Sequence, residues 1–272
     1  MSAVELSRCS INSVTVRALG LPALLREAGR LGVAGIAPWR DLIAPYGAAT
    51  AGRMIADAGL AVSGLCRGGM FTAPTAAGRR AAVADNLRAI DEARALGTDV
   101  LVLVCGPVTG RDPAGSRTMI REGIEAVLGH ARAAGVRLGV EPLHPMMAAD
   151  RSAVTSLREA NALRQAIGDP QLGVIVDAYH VWWEHDLEAQ IAAAAGQLLG
   201  FHVSDWVTPI EGQLSSRGMP GDGCIDLRRM RGWVERAGFR GLAEVEILSD
   251  RWWAEEPRAV LDLAVERFLD VV

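Results

Sequence analysis

Four polar residues punctuate apolar runs in this sequence. Glu141 closes "RLGVE", Asp177 closes "LGVIVD", His202 stands in "GFHVSD", and Glu246 sits near the end of "GLAEVEI". Three carboxylates and one imidazole form an oxygen-rich donor set. Such a set suits one hard or borderline divalent ion, Mn²⁺ or Mg²⁺, with Co²⁺ or Zn²⁺ as alternatives. Without a cation, clustered carboxylates repel one another and take up protons. The cation removes that cost.

The elements that must position these residues follow a repeated phrase: a helix end, a glycine, then a short apolar strand. It reads "REAGRLGVAGI", "ADAGLAVSGL", "ARALGTDVLVLV", "ARAAGVRLGVE", "QAIGDPQLGVIVD", "AAAAGQLLGFHV" and "ERAGFRGLAEVEI". The glycine suits a left-handed helix C-cap. The runs rich in Val, Leu and Ile suit strands covered on both faces. An opening strand near "LSRCSINS" makes the count eight. Helical spacing lies between the strands. One pattern begins near Ala81 with Val83, Leu87 and Ile90. A second carries Ile120, Ile124, Val127 and Ala131, and a third, after Pro257, carries Val260, Leu263, Val265 and Phe268. Eight strand–helix units in 272 residues predict an α/β fold, a (β/α)8 TIM barrel forming a single domain over residues 1–272. No G-x-G-x-x-G follows the first strand, which removes support for an open dinucleotide-binding sheet.

In such a barrel the active site lies at the C-terminal strand ends. Strands 5 to 8 each offer an acid or a histidine there: Glu141, Asp177, His202 and Glu246. Side chains alternate along a strand. Placing these four inward turns Leu138, Val140, Val176, Phe201, Val203, Val245 and Ile247 toward the helices. Glu244 shares the parity of Glu246 but lies deeper, where a satisfied core acid is the competing role. Asp205 is a candidate to orient a ligand, or a cap. Six of the seven tryptophans follow strand ends: Trp39, Trp182, Trp183, Trp206, Trp252 and Trp253. Trp39 and Trp182 are expected to line the mouth of the barrel, with His144, Gly68, Gly69 and Phe71 beside them. Aromatic residues also favour interfaces, which leaves a homodimer or homotetramer open. His130 and His185 fall in helical stretches and are expected to be structural or exposed.

Composition removes several classes. The net charge is −4, with no basic stripe, so no nucleic-acid partner is expected. No apolar run is long enough for a membrane helix. "MSAVELSRCS" lacks the pattern of a secretory signal, and the four cysteines are scattered without a CxxC, so a cytoplasmic protein is expected. All 28 basic residues are arginine. The absence of lysine excludes a Schiff-base mechanism and a Walker A phosphate loop.

"GVEPLHP", "DAYHVWW", "FHVSDW", "SRGMPGDGCIDL" and "GLAEVEI" together resemble the xylose isomerase-like sugar isomerases and epimerases. That superfamily includes ketose 3-epimerases, hydroxypyruvate isomerase and inosose dehydratase. The resemblance implies a barrel with one divalent ion held by Glu141, Asp177, His202 and Glu246. It implies that Glu141 and Glu246 also act as acid and base, and that His180 and Arg217 contact a sugar or polyol substrate. Isomerisation, epimerisation and inosose dehydratase-type loss of water all remain compatible with this set. An endonuclease IV-like phosphodiesterase fits poorly with five histidines and a net charge of −4. A non-catalytic sugar binder would not need both glutamates.

Overall fold

The structure, a computed structural model, describes residues 4–272. The start of the stretch read as free of a secretory signal, and of the 1–272 domain, lies outside the described residues.

Among the described residues, eight barrel strands and eight longer helices alternate. They are β1 (Cys9–Asn12), α1 (Leu21–Leu31), β2 (Gly35–Ala37), α2 (Ala48–Asp57), β3 (Leu65–Gly69), α3 (Ala76–Leu96), β4 (Val100–Val104) and α4 (Pro113–Ala134). There follow β5 (Arg137–Glu141), α5 (Leu157–Ile167), β6 (Leu172–Asp177), α6 (Leu187–Ala193), β7 (Leu198–Val203), α7 (Leu227–Arg236), β8 (Ala243–Val245) and α8 (Pro257–Val271). The strands pair in parallel in the order β2–β1–β8–β7–β6–β5–β4–β3. This is the (β/α)8 TIM barrel. The sheet has nine pieces rather than eight because the third strand is broken. Ala61–Val62 pairs with β2, and after Ser63 and Gly64 the chain resumes as β3 beside β4. A parallel bridge from Trp39 to Cys66 joins the end of β2 to β3 and closes the ring.

The glycines of the repeated phrase do what the reading required. Gly32, Gly59, Gly97, Gly135, Gly168, Gly196 and Gly238 all have positive φ, the backbone state that ends a helix without a Cβ penalty. Helix α3 starts earlier than the apolar spacing suggested, at Ala76, where the Thr75 hydroxyl accepts from the Gly78 N–H. Its first turn, rich in Ala, Gly and Arg, carries no apolar signal.

Most of the core lies between strands and helices. A smaller cluster, Val100, Val102, Ile175 and Leu199, plugs the barrel interior. Gly139 and Gly200 make room for it: a Cβ there would stand 2.6 Å and 2.9 Å from Ile175 Cδ1. This plug is the floor on which the polar strand ends rest. No helix among the described residues is long and apolar enough to cross a membrane.

Cys9, Cys66 and Cys105 are buried free thiols, and Cys224 is exposed. Burial pushes Cys9 and Cys105 up to about 12, so neither offers thiolate at neutral pH. A thiol-reactive dye is expected to label one cysteine quickly in the native protein and all four after unfolding. Rapid labelling of three or four in the native state would contradict this packing.

Candidate metal centre

Register brings the polar strand ends together. Asp177 pairs with His202, and His202 with Glu244. Glu141 ends β5 opposite Val104. Glu246 stands one residue beyond β8, and its N–H donates to the Val203 carbonyl at 3.1 Å. One donor atom each from Glu141, Asp177, His202 and Glu246 lies within 4.8 Å of the others. All four side chains are buried, at 5, 0, 3 and 5 % exposure.

The donor atoms test whether a cation fits. His202 Nδ1 faces Glu141 Oε1 at 3.0 Å and Glu246 Oε2 at 3.5 Å. Yet neither Nδ1 nor Glu141 Oε1 has a hydrogen-bond partner of acceptable geometry among the described residues. Buried polar atoms are normally satisfied. An unpartnered imidazole nitrogen and an unpartnered carboxylate oxygen side by side fit a divalent ion, and the oxygen-rich set with one imidazole matches its ligand chemistry.

Electrostatics agree with crowding. Burial pushes the Glu141 carboxyl up to about 7. Burial also opposes the charge on Asp177, but Arg217, His180 and His202 outweigh it and hold Asp177 down at about 2. Burial opposes charging of His202 as well; there Glu244, Glu141 and Glu246 prevail and hold the ring well above its ordinary value.

Local structure divides the work of Asp177. Its Oδ1 accepts from the Tyr179 N–H at 2.8 Å and starts the helical turn Ala178–Val181. Its Oδ2 faces the centre, where Arg217 Nη1 donates to it at 2.8 Å. The same Nη1 lies 3.2 Å from Glu246 Oε2. Arg217 Nη2 stands 3.1 Å from His180 Nε2. The His180 ring is buried, which pushes it down to about 3, and its Nδ1 accepts from the His144 N–H at 3.2 Å. The His144 ring lies 4.6 Å from that of Trp206.

The loop wording "RGMPGDG" has a physical reading. Arg217 and Gly218 pair antiparallel with Trp206 and Asp205. Asp205 accepts from the Gly221 and Ile225 N–H groups, so it ties down this loop rather than touching His202. At Gly223 a Cβ would lie 2.0 Å from the Trp206 carbonyl oxygen; only glycine permits that approach. Together these contacts aim Arg217 into the centre.

The tryptophans spread out. Trp39 lines a hollow with Ser13, Arg17, Asp41 and Tyr46. Trp182 lines a groove with Leu187, Cys224, Met230 and Trp233, between α6 and α7. Neither lining includes a member of the four-residue set. Trp183 is exposed, and its indole donates to the His180 carbonyl. Trp253 donates to the Val14 carbonyl beneath Arg17. Of the rings near the centre, Trp206 stacks at 4.8 Å on Tyr179, and Arg217 lies 4.8 Å over Tyr179. His185 is exposed and His130 pairs with Asp91 on the surface.

Sequence reasoning passed over Asn12, Ser63, Tyr179 and the segment 207–216. Asn12 is a polar strand end like the others, so the same test applied to "CSIN" points to it. The segment 207–216 carried no chemical signal. It crosses the mouth: Leu214 packs on a cluster of Val104, Leu143 and Met147, and Gln213 donates to the Met146 carbonyl.

A family model described as xylose isomerase-like TIM barrel matches residues 24–268. The chain belongs to the xylose isomerase-like TIM barrel family. The crystal structure of protein SMc04130 from Sinorhizobium meliloti 1021 is 46 % identical, with a TM-score of 0.94 over 98 % of this chain and 99 % of that one. The structure of an IOLI protein with a bound zinc atom superimposes with a TM-score of 0.85 at 16 % identity, covering 97 % of this chain and 98 % of that one. A 3-dehydroshikimate dehydratase from Pseudomonas aeruginosa is 28 % identical over 183 residues, 63 % of this chain. The matched part spans 27 % of that curated relative's length.

Proposed function

We propose that this protein is a divalent-metal-dependent sugar isomerase or epimerase, acting on a sugar or sugar-like polyol ketone by proton transfer beside its carbonyl. The observation that carries this reading is the convergence of Glu141, Asp177, His202 and Glu246 donor atoms within 4.8 Å in a buried site. The zinc atom in the structurally similar IOLI protein supports it. A bound ion would lower the cost of removing a proton beside a chelated carbonyl.

The chain's own residues supply the rest. Glu141 and Glu246 are the proposed proton carriers, one acting as base and the other as acid for epimerisation. Arg217 and His180 lie side by side beyond Asp177 and are the proposed contacts to substrate oxygens. His144 is proposed to shape the approach, whereas Trp39 and Trp182 line hollows outside the four-residue set. The strap at 207–216 packs over the mouth through Leu214 and Gln213 and would keep water from it.

A second reading is dehydration on the same scaffold, favoured by the resemblance to 3-dehydroshikimate dehydratase. A β-hydroxyl leaving from the same enolate gives that outcome. One experiment separates the two. The Mn²⁺-loaded protein is incubated in D₂O with a panel of ketoses and cyclic hydroxyketones. Deuterium at the carbon next to the carbonyl, without loss of mass, is the expected result. Loss of water selects the dehydratase, and no change in any compound refutes both.

A further inference from the structure

Behind His202 lies a carboxylate that the metal set does not use. Glu244 sits one layer deeper than Glu246, opposite His202 in the β7–β8 register. Its Oε2 is 3.6 Å from His202 Nε2, at ion-pair distance. The other ring nitrogen, Nδ1, faces Glu141 and Glu246 at 3.0 and 3.5 Å. The imidazole therefore presents one nitrogen to the metal set and the other to this separate carboxylate.

Glu244 is itself held in place. Asn12 Nδ2 donates to Glu244 Oε1 at 2.6 Å, and Ser63 Oγ donates to Oε2 at 3.0 Å. Ser63 is bonded in turn to Ser10, at 2.8 Å. The Asn12 amide also donates to Glu246 Oε1 at 3.0 Å, so one side chain bridges the inner and outer glutamates. Asn12 and Ser10 are fully buried, and Glu244 is 4 % exposed. The break in the third strand falls at Ser63, the residue whose hydroxyl reaches Glu244.

A neutral imidazole carries one proton, and the partner of one nitrogen decides which nitrogen is left to bind metal. On the metal-dependent reading above, we propose that Glu244 is a positioning residue. Its carboxylate keeps the proton of neutral His202 on Nε2, which leaves the Nδ1 lone pair for the divalent ion. Asn12 holds Glu244 and Glu246 in one frame. A carboxylate buried only as a satisfied core acid would have no bearing on the ring.

Glu244→Gln tests this with little change of shape. Its amide can donate to Nε2 and so draw the ring proton to Nδ1, the metal-facing side. Three measurements are made on wild type and variant: thermal melting, Mn²⁺ affinity by calorimetry, and ¹⁵N NMR of the imidazole in chelator-treated protein at a pH where the ring is neutral. The His202 signal is assigned by its absence from His202→Asn. We expect an Nε2–H ring in wild type, a shift toward Nδ1–H in the variant, and a Kd for Mn²⁺ weaker by about 10- to 100-fold. A variant Kd within twofold of wild type overturns the proposal. If the variant does not fold, the wild-type spectrum decides: an Nδ1–H ring overturns the proposal and an Nε2–H ring upholds the ring-holding role. Failure of the metal reading looks different, because wild type itself would then show no Mn²⁺ binding.

Discussion

Glu246→Gln and Glu141→Gln are each expected to fold and to lose about 10²- to 10⁴-fold in turnover, the usual worth of a positioned acid or base. Folding should survive because the amide is nearly isosteric, and at position 246 it keeps an oxygen for the Asn12 donor. It also removes one charge from a buried, mutually repelling set. Each residue is proposed both as ligand and as proton carrier, so the two roles need separating. Raising Mn²⁺ until occupancy is complete should restore the ligand role alone; the loss that persists at saturation reports the proton transfer. On the epimerase reading each glutamate serves one epimer. Each variant should then still exchange solvent deuterium into the epimer whose base is intact, without inverting it. His202→Ala is the stricter test of ligation, since alanine has no donor atom. Equal metal content in wild type, His202→Ala and Glu246→Gln would remove the metal site.

The sequence made part of this legible for a simple reason. A parallel strand covered on both faces has almost no polar positions, so an acid or histidine at its C-terminal end stands out. Period-two alternation then says which way it faces. Glu141, Asp177, His202 and Glu246 stand out in this way and converge, and the helix-ending glycines all have positive φ. Position along the strand put Glu244 deeper than Glu246 but could not set it opposite His202. That pairing depends on register between β7 and β8, and register is set by packing across the sheet rather than by either strand alone. The break at Ser63 was hidden because its role is to reach Glu244, 181 positions away. Tryptophans at strand ends looked alike in sequence, yet Trp206 stacks beside the centre while Trp182 turns toward α6 and α7. The strap failed to register because Leu214 is an isolated apolar residue whose partners lie on other loops.

Arg217 carries the second large expectation. In the chelator-treated protein its guanidinium is the buried cation that contacts both Asp177 and Glu246. Arg217→Met should leave two buried carboxylates without it. Breaking a buried pair in this way costs about 3–5 kcal/mol, which for a chain of this size lowers the melting temperature by roughly 10 °C. Added Mn²⁺ should recover most of that loss, because it supplies positive charge to the same oxygens. The variant should therefore gain more from metal than wild type does. The ring beside it shows that this arginine also has donors to spare. His180 Nδ1 already accepts from the His144 N–H, so a neutral ring must carry its proton on Nε2. Arg217 Nη2, 3.1 Å from that nitrogen, then faces an N–H and not a lone pair. Arg217 Nε is also buried without a hydrogen-bond partner among the described residues. A substrate oxygen entering here would satisfy donors that the protein leaves unmatched. Losing such a charge-assisted bond costs about 1.5–3 kcal/mol, so the metal-loaded Met variant should show a KM raised by about 10- to 150-fold. Arg217→Lys separates the two duties. It keeps the charge and should keep most of the stability, but it loses the planar fork and should still raise KM. A lysine variant with wild-type KM would show that charge alone is needed, and a Met variant that melts with wild type without metal would remove the compensating role.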